Sequence, residues 1–363
     1  MLNWKVRPVP GFRQDRHPMP HPLVHQPAEW ERHSSCWLAW PSHGHLWQDK
    51  LGLAQAEWAA LCVAIAEEGG EALDILVQDA DAETEVRRAL APLLAPALAQ
   101  LRFHRVPVGD IWLRDTAPIF LQDDSGAPQA ACFRFNGWGG KYVLPDDDQV
   151  AAQVATLSGL PRLDHGWILE GGSVETDGEG TLLTTRQCLL NPNRNPGMTQ
   201  TDIEAALREG LGAEKVLWLD EGLLNDHTDG HIDTLARFVA PGVVVCMEAQ
   251  ERLDPNGPTL DRLAADLAAM TDARGRRLRV LRIPSPGLLL DEGGEPMPAS
   301  YVNFYIGNQS VVVPTYGTPY DAAAVAALAP LFLGRRVLGR SARAILSGGG
   351  AFHCITQQQP EVL

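Results

Sequence analysis

A cysteine that follows a run of glycines is the feature of this chain most typical of a reactive site. Cys354 stands four positions after the triple glycine Gly348-Gly349-Gly350, and His353 directly precedes it. Three consecutive glycines allow close approach to the backbone, because they carry no Cβ. The pattern predicts that the Cys354 thiol acts as a nucleophile rather than as core filling. Neighbouring residues of an extended segment point apart, so we expect a structural role for His353.

Acidic and imidazole side chains recur upstream of this cysteine, each beside a glycine turn or the end of an apolar run. A lone acid is most often a solvated loop residue. Acids, an imidazole and a thiol at corresponding places of successive units are instead typical of one shared site. They predict a site for a small cation, and the candidate residues lie in the runs Asp110–Asp115, Leu169–Gly172 and His227–Asp233 and at Cys354. Trp112, taken by itself, is more typical of a core residue than of a ligand wall.

A metal centre is the first alternative for the histidine-rich run. His227 and His231 have the i, i+4 spacing of an H-E-x-x-H motif, and two aspartates could complete the ligand shell. Gly230 and the β-branched residues around it instead indicate a loop that enters a strand. On a strand, His231 and Asp233 point to the same side, an arrangement that needs no metal. We favour this paired interpretation and keep the metal centre as an alternative.

Serine and phosphate chemistry are weaker alternatives. The pair Gly172-Ser173 lacks the second glycine of G-x-S-x-G, so the sharp turn that carries a serine nucleophile is not predicted. The triple glycine is not followed by Gly-Lys-Ser/Thr, which disfavours a phosphate cradle. The runs Phe135–Lys141 and Asn191–Pro196 are rich in turn residues. Taken alone, they indicate architecture rather than chemistry.

The composition excludes several classes of protein. The 363 residues are 45% hydrophobic and 21% charged, as in globular proteins, and the net charge is −15. This charge argues against nucleic acid or an anionic membrane as a partner and favours the approach of cationic ligands. No apolar run reaches the ~18 residues of a membrane span. The six scattered cysteines form no C-x-x-C pair, and the run Met1–Pro8 has no signal-peptide core, so we expect a cytoplasmic protein.

The elements that must position the candidate residues follow one repeated plan. After a proline-rich arm at 1–28, five units of roughly 45–65 residues each contain a pair of strands, a helix and a further strand. Such units bury their faces against one another, which predicts an α/β propeller of five pseudo-symmetric units closed around one axis. Residues 29–363 would then form a single domain. An open α/β sheet with helices on both faces is the alternative.

Several strand boundaries depend on this plan. Apolar runs predict strands at Cys36–Trp40, Leu73–Val77, Val106–Asp110, Ile111–Leu121, Ala131–Phe135, Trp167–Glu170, Thr181–Thr185, Lys215–Leu219, Leu235–Val239, Val243–Met247, Leu278–Ile283, Tyr301–Ile306, Ser310–Val313 and Ala344–Leu346. Helices are predicted around the periodic apolar residues of 58–65, 150–157, 203–211, 260–270 and 321–332.

Nine motifs in order along the chain resemble those of the agmatine deiminases. They span residue 27 to the C-terminus: P-A-E-W-E-x-H (Pro27–His33), W-L-A-W-P (Trp37–Pro41), W-x-R-D (Trp112–Asp115), F-N-x-W-G-G-K-Y (Phe135–Tyr142), L-E-G-G-S (Leu169–Ser173), L-N-P-N-R-N-P (Leu190–Pro196), T-D-G-H-I-D (Thr228–Asp233), A-S-Y-V-N-F-Y-I (Ala299–Ile306) and G-G-G-x-x-H-C-I-T-Q-Q (Gly348–Gln358). The resemblance implies the five-bladed propeller of the guanidino-group-modifying superfamily.

The resemblance also implies a reaction and a role for each candidate residue. Asp115 and Asp233 hold a guanidinium, Cys354 attacks it, His231 moves protons, and Glu170 holds His231 and contacts the substrate. Trp112 contributes to substrate binding. Agmatine would become N-carbamoylputrescine and ammonia, a step of putrescine and polyamine biosynthesis, without a metal or organic cofactor. A homodimer fits the resemblance.

Other functions stay open at this point. Arginine deiminases and a bacterial peptidylarginine deiminase belong to the same superfamily, so arginine or a peptidyl arginine is an alternative substrate. A non-catalytic binder of cationic guanidines is a third hypothesis. The run Gly350–His353 departs from the Asn-Ile-His of many relatives. The segment Gly287–Pro298, rich in acids and glycine, is expected to be a mobile loop; if it covers the site, it would set what lies beyond the guanidinium.

Overall fold

The strands and helices alternate along a mixed α/β chain. The computed structural model describes residues 24–94 and 100–362. In chain order the strands are β1 (Val24–His25), β2 (His33–Ala39), β3 (Leu73–Val77), β4 (Leu101–Arg105), β5 (Ile119–Asp123), β6 (Pro128–Arg134), β7 (Arg162–Ile168), β8 (Glu175–Thr176), β9 (Thr181–Thr185), β10 (Lys215–Leu219), β11 (Ala236–Ala240), β12 (Val243–Glu248), β13 (Arg279–Pro284), β14 (Tyr305–Ile306), β15 (Ser310–Thr315), β16 (Arg336–Ser341) and β17 (Gln357–Pro360).

Helices and single helical turns connect these strands. They are α1 (Gly44–Trp47), α2 (Leu51–Ala66), α3 (Ala80–Leu90), α4 (Leu113–Thr116), α5 (Gly137–Gly140), α6 (Val150–Ser158), α7 (Arg186–Leu189), α8 (Gln200–Leu211), α9 (Gly257–Ala269), α10 (Asp321–Leu328) and α11 (Arg343–Leu346). Among the described residues, no helix has the length and apolar character that a bilayer span requires.

The strands of the described residues form five separate sheets with one shared pattern. Their strand orders are β17-β2-β3-β4, β1-β5-β6-β7, β8-β9-β10, β11-β12-β13 and β14-β15-β16. In each sheet an antiparallel pair is followed by a parallel strand. The repeated plan expected from the sequence is therefore present at the level of the sheets. One open sheet, the alternative, is not what these strands form.

The parallel pairing explains where the long helices occur. Parallel neighbours need a crossover connection, which is usually a helix. Helices α2, α6, α8, α9 and α10 each connect the two parallel strands of a sheet. In α2 the apolar stripe predicted from the sequence is fully buried at Trp58, Leu61, Cys62 and Ile65.

Two predicted strands lie elsewhere. Residues 106–110 are irregular, and the strand of that region is β4. Likewise Ala344–Leu346 falls in the turn α11, and the strand is β16. Both β4 and β16 are sheet edges. Edge strands tolerate charged side chains, and these two carry arginines in place of an apolar run, so the apolar pattern misses them.

Three other predicted strands differ in extent. The run Ile111–Leu121 divides into α4 and β5, because the Arg114 backbone N–H donates to the Cys354 carbonyl, 3.1 Å away, rather than to a neighbouring strand. The strand predicted at Trp167–Glu170 ends at Ile168 and pairs with β6 in the second sheet. Only the last two residues of Tyr301–Ile306 form a strand, β14.

The N-terminal arm is described only in part. Residues 1–23 of the arm predicted at 1–28 lie outside the described residues. Val24–His25 form β1, which pairs antiparallel with β5 at the edge of the second sheet. The division into an arm and one domain at residue 29 stays a prediction.

Candidate active site

A cavity of about 360 Å³ contains the predicted cysteine in its wall. Side chains from several sheets converge on this cavity, and its walls include Trp47, Asp110, Trp112, Asp115, Trp138, Tyr142, His227, Glu292 and Cys354. The triple glycine Gly348–Gly350 also lines it. Of the predicted residues, Trp112, Asp115 and Cys354 line this cavity, whereas Glu170, His231 and Asp233 are buried and are not among its lining residues.

Cys354 lies in the turn between α11 and β17 and is 6% exposed. Its Sγ atom is 3.4 Å from Oδ2 of Asp233, and Nδ2 of Asn303 donates to it over 3.1 Å. Burial raises the pKa of this thiol well above its usual value, and the charges of Asp233 and Asp115 raise it further. Cys354 is therefore a thiol in the unliganded protein.

Asp115 lies in the turn α4 with both carboxylate oxygens occupied. Oδ2 accepts a hydrogen bond from Trp138 Nε1 over 2.8 Å, and Oδ1 accepts one from the Gly172 backbone N–H over 2.9 Å. Burial raises the pKa of Asp115 well above its ordinary value, followed by the charges of Asp233 and Glu170. The carboxyl group is thus oriented by two donors and is poised to ionise when a cation arrives.

His231 stands directly before the 3-10 turn Ile232–Thr234 and is 1% exposed. Its backbone N–H donates to Thr228 Oγ1 over 3.0 Å, and its Nδ1 lies 3.7 Å from Asp115 Oδ1. Neither ring nitrogen has a hydrogen-bond partner within the described part of the chain. Burial lowers the pKa of His231 to about 3, so the ring is held as a neutral imidazole.

Glu170 is fully buried at the start of the turn Gly171–Ser173. Its Oε1 accepts a hydrogen bond from Arg194 Nε over 3.0 Å, whereas Oε2 has no partner among residues 24–94 and 100–362. Burial raises the pKa of Glu170, with the Arg194 guanidinium opposing that shift. The carboxylate is therefore held by one oxygen and offers the other.

Asp233 is also fully buried, and its two oxygens have different surroundings. Oδ2 is 2.8 Å from Nδ1 of His353, while Oδ1 lacks a hydrogen-bond partner in the described structure. Burial disfavours the charged form, but the hydrogen bond and charge of His353 outweigh it and lower the pKa of Asp233. Asp233 is consequently a carboxylate with one free oxygen.

Gly172 marks the point where these groups meet. A Cβ on Gly172 would lie 2.7 Å from His231 Nδ1, 2.9 Å from Asp115 Oδ1 and 3.1 Å from Asp233 Oδ2. Three side chains predicted from two motifs therefore face one small volume that only a glycine leaves open. This arrangement can hold a planar cation between carboxylates next to a neutral base and a thiol.

Trp112 forms part of the cavity wall. Its Nε1 donates to Asp110 Oδ2 over 2.8 Å, and Trp47 Nε1 donates to Oδ1 of the same carboxylate over 2.9 Å. The two indoles are stacked with centroids 6.1 Å apart. A Cβ on Gly350 would lie 2.8 Å from the Trp112 ring and 3.0 Å from Cys354 Sγ, so the glycine run packs directly between indole and thiol.

Residues 25–360 match the sequence profile of the Porphyromonas-type peptidyl-arginine deiminases. The chain belongs to this family.

Its relatives include curated agmatine deiminases. The enzyme of Ectopseudomonas mendocina is 39% identical over 359 residues, covering 93% of this chain and 95% of the relative. The enzyme of Pseudomonas aeruginosa is 38% identical, covering 92% and 95%. A solved agmatine deiminase of Enterococcus faecalis has a TM-score of 0.87 at 30% identity, covering 94% of this chain and 97% of that one.

Three residues that contact the predicted site residues were not themselves predicted from the sequence. Trp138, Arg194 and Asn303 contact Asp115, Glu170 and Cys354 respectively. Each lies in a motif that the resemblance identified, but the turn-rich character of two of these motifs indicated architecture alone. A buried arginine or tryptophan in a turn is the signal that could have identified them, because its polar atoms require partners.

The alternatives to thiol chemistry find less support in the geometry. His227 contributes to the cavity wall but not to a metal-like cluster; the donor atoms that lie within 4.8 Å of one another in the described residues belong to Glu170, Cys188 and His231. Ser173 Oγ donates to the Glu170 carbonyl over 2.6 Å, which uses the hydroxyl for a turn.

The loop Gly287–Pro298 brings Glu292 into the cavity wall. Glu292 Oε1 lies 2.9 Å from Lys50 Nζ, and Lys50 is a wall residue as well. Glu292 of this loop therefore borders the cavity, while the loop's influence on the substrate stays a prediction.

Proposed function

We propose that this protein is an agmatine deiminase that hydrolyses agmatine to N-carbamoylputrescine and ammonia. The observation that carries the proposal is that His231, Asp115 and Asp233 meet around Gly172, with Cys354 Sγ 3.4 Å from Asp233 Oδ2. The agmatine deiminase names of the relatives support the same substrate. A solved Campylobacter jejuni relative, described as an agmatine deiminase with substrate bound, is 25% identical with a TM-score of 0.85. The reaction is a step towards putrescine.

Asp115 and Asp233 bind the guanidinium in this proposal. The guanidinium is a planar cation whose N–H donors match carboxylate oxygens in pairs. The free Oδ1 of Asp233 and the free Oε2 of Glu170 are acceptors without a partner in the described residues. Trp112 forms one wall of the cavity beside the thiol. Holding the plane of the cation fixed presents its central carbon to Cys354, which is a proximity contribution.

The reaction proceeds through a covalent intermediate. The Cys354 thiol gives its proton to the neutral His231 and attacks the central carbon, forming a tetrahedral adduct. His231 passes this proton to the departing nitrogen, and ammonia leaves a thiouronium. His231 then takes a proton from water, whose oxygen attacks the same carbon. Cys354 leaves and is protonated again, and the product is a ureido group. These steps use no metal or organic cofactor.

An arginine or peptidyl-arginine substrate is the second candidate, because the family profile carries the peptidyl-arginine name. The distal end distinguishes the substrates, since agmatine ends in an ammonium and arginine carries an α-carboxylate. Asp49 and Glu292 line the cavity, and Glu292 already holds the primary ammonium of Lys50. This favours an amine tail. A non-catalytic guanidine binder is disfavoured because binding alone has no use for the thiol.

The deciding experiment measures ureido product and ammonia from purified protein, without added metal. Agmatine, arginine and a peptide with a C-terminal arginine are supplied separately. Turnover of agmatine alone supports the proposal. Turnover of arginine or of the peptide would retain the roles of Cys354 and His231 but reassign the distal part of the cavity. Release from none of them would contradict the proposed reaction.

We further propose that the five sheets surround one axis as a five-bladed propeller and that residues 29–363 form one domain. The shared pattern of antiparallel pair and parallel strand supports this arrangement. We also propose a cytoplasmic homodimer. The six cysteines are buried and free, which agrees with a reducing compartment. Gel filtration with light scattering tests the dimer.

A further inference from the structure

We propose that His353 is a positioning residue that holds the Asp233 carboxylate from behind as a buried imidazolium. This inference rests on the proposed role of Asp233 in guanidinium binding. His353 is 2% exposed and is not part of the cavity wall. Both of its ring nitrogens face carboxylates of the protein, so it acts through Asp233 rather than on the substrate.

Both ring nitrogens of His353 face carboxylate oxygens. Nδ1 lies 2.8 Å from Asp233 Oδ2, and Nε2 lies 2.8 Å from Glu29 Oε2. An ionised carboxylate can only accept hydrogen bonds, so each nitrogen has to donate. A neutral imidazole has one donor, whereas an imidazolium has two. Two ionised partners therefore require the cationic ring.

The surrounding charges balance only with this cation. Glu29 Oε2 also accepts from Arg237, whose terminal nitrogen is 2.6 Å away, and Arg237 Nε donates to Glu175 Oε2 over 2.8 Å. Glu175 Oε1 accepts from a backbone N–H, so both of its oxygens act as acceptors. Arg114 lies 3.6 Å from Glu29.

The buried cluster thus contains three carboxylates and two guanidiniums. Its members are Glu29, Glu175, Asp233, Arg114 and Arg237, all at most 6% exposed. Buried charges are costly unless they are compensated. A third positive charge on His353 brings the cluster to neutrality. Three further titratable groups lie near Asp233: burial raises the pKa values of Cys354 and Asp115 well above their ordinary values and lowers that of His231 to about 3, so each favours its neutral form.

The contact determines which oxygen of Asp233 meets the substrate. His353 occupies Oδ2, so the carboxylate cannot rotate without breaking a charged hydrogen bond, and Oδ1 is left free. The imidazolium also offsets part of the negative charge that faces Cys354 Sγ. Asn303 and Arg114 secure the ring's own backbone, because Asn303 Oδ1 accepts from the His353 N–H and Arg114 Nε donates to its carbonyl.

A matched pair of variants separates positioning from a purely structural role. In His353→Asn the amide nitrogen can take the place of Nδ1 and donate to Asp233, whereas in His353→Gln it can take the place of Nε2 and donate to Glu29. In a Cys354→Ala background, calorimetry should show about a 100-fold weaker agmatine affinity for His353→Gln and a smaller loss for His353→Asn. His104→Gln, which breaks a His–Asp contact of 2.7 Å outside the cavity, is the control and should leave the affinity unchanged.

Equal affinities in both His353 variants, with only a lower melting temperature, would overturn the positioning role. A second measurement decides the charge state without substrate and without a destabilising variant. NMR of the wild-type protein with ¹⁵N-labelled histidine should show one ring with both nitrogens protonated at pH 7, absent from His353→Asn. A neutral tautomer for that ring would overturn the proposal. Because this spectrum needs no turnover, its outcome is independent of whether agmatine is the substrate.

Discussion

Cys354 Sγ and Asp233 Oδ2 are 3.4 Å apart, so the proposed nucleophile and one proposed substrate carboxylate are direct neighbours. In the unliganded protein this proximity opposes ionisation of the thiol. A guanidinium bound between the carboxylates would offset the negative charge that faces Sγ. The nucleophile is therefore activated where its target is already in place.

Removing the thiol separates binding from chemistry. We expect Cys354→Ala to lower turnover of agmatine at least about 1,000-fold, because the covalent intermediate cannot form. Calorimetry should still detect agmatine binding to this variant. Intact mass spectrometry of the wild type, quenched during turnover, should detect the amidine adduct on Cys354. Cys246→Ala, in the buried strand β12, is the control and should stay active. Retained turnover in Cys354→Ala would rule out the covalent mechanism.

A methyl group on Gly172 should block the site without disturbing the backbone. Its Cβ would lie within 3.1 Å of three site side chains. The backbone of Gly172 does not have a positive φ, so alanine is conformationally allowed. We expect Gly172→Ala to lower kcat/KM at least about 100-fold through lost orientation. Gly166→Ala, whose Cβ meets nothing within 4 Å, provides the control. Similar activities of the two variants would contradict the proposed position of the guanidinium.

Asp233→Asn should weaken substrate binding. The amide can still accept from His353, but its NH₂ group would then face the N–H groups of the guanidinium in place of Oδ1. Loss of a charged hydrogen bond corresponds to about a 10- to 100-fold weaker affinity. Asp254→Asn changes another buried aspartate, one that accepts from the Asn256 N–H over 2.9 Å, and should leave binding unaltered. Unchanged affinity in Asp233→Asn would mean that the carboxylate pair is misassigned.

Agmatine binding should release protons. The pKa of Asp115 is raised in the free protein, first by burial and then by the charges of Asp233 and Glu170, and a bound cation lowers it. Below the free-state pKa, Asp115 therefore loses a proton on binding, so affinity should increase as pH rises and then level off. Calorimetry of Cys354→Ala in two buffers with different ionisation enthalpies measures the released protons. Net proton uptake would contradict this linkage.

Asp147 should make the protein less stable as pH rises, whereas an ion-paired aspartate makes a protein more stable as pH rises. Oδ1 accepts from the Gly109 N–H over 2.7 Å, Oδ2 has no partner in the described residues, and burial raises the pKa from 3.8 to about 7. Between these values the folded state binds more protons than the unfolded state, so stability falls as pH rises.

Asp147→Asn removes this titration. The free energy of unfolding of Asp147→Asn, relative to that of the wild type, should increase from pH 5 to pH 8. The full pKa shift corresponds to an increase on the order of 3 kcal/mol. Thermal unfolding at the two pH values measures the change. The exposed neighbour Asp148 gives the control Asp148→Asn. A constant difference between Asp147→Asn and the wild type would contradict the raised pKa.

The sequence predicted elements best where burial is one-sided and continuous. The stripe Trp58, Leu61 and Ile65 of α2 is buried as expected, and the Pro241-Gly242 turn joins β11 and β12. The edge strand β16 was missed because its charged residues interrupt the apolar pattern. Local pattern does not encode which strand lies at an edge, since that depends on pairing between distant segments.

The sequence predicted which residues form the candidate site, but not which other residues those side chains contact. Cys354, His231 and Asp233 stood out through their glycine-rich surroundings. The contact of His353 with Glu29 joins residues 324 apart, and no local periodicity indicates it. The expectation of a structural role for His353 rested on an extended segment, whereas the chain forms a turn there. Contacts of this kind depend on how the sheets pack.

The pairing of β17 with β2 ties the position of the nucleophile to the order in which the chain folds. Gln357 lies opposite Trp37, and the Trp37 indole donates to Gln359 Oε1, a contact between residues 322 apart. Contacts of such high separation form late, after the intervening segments are ordered. The thiol therefore meets its acidic partners only when the first sheet is completed by its last strand. In a partly folded chain, Cys354 is present but the site around it is not formed. Fraying of the four residues of β17 would therefore abolish activity while most of the fold stays intact.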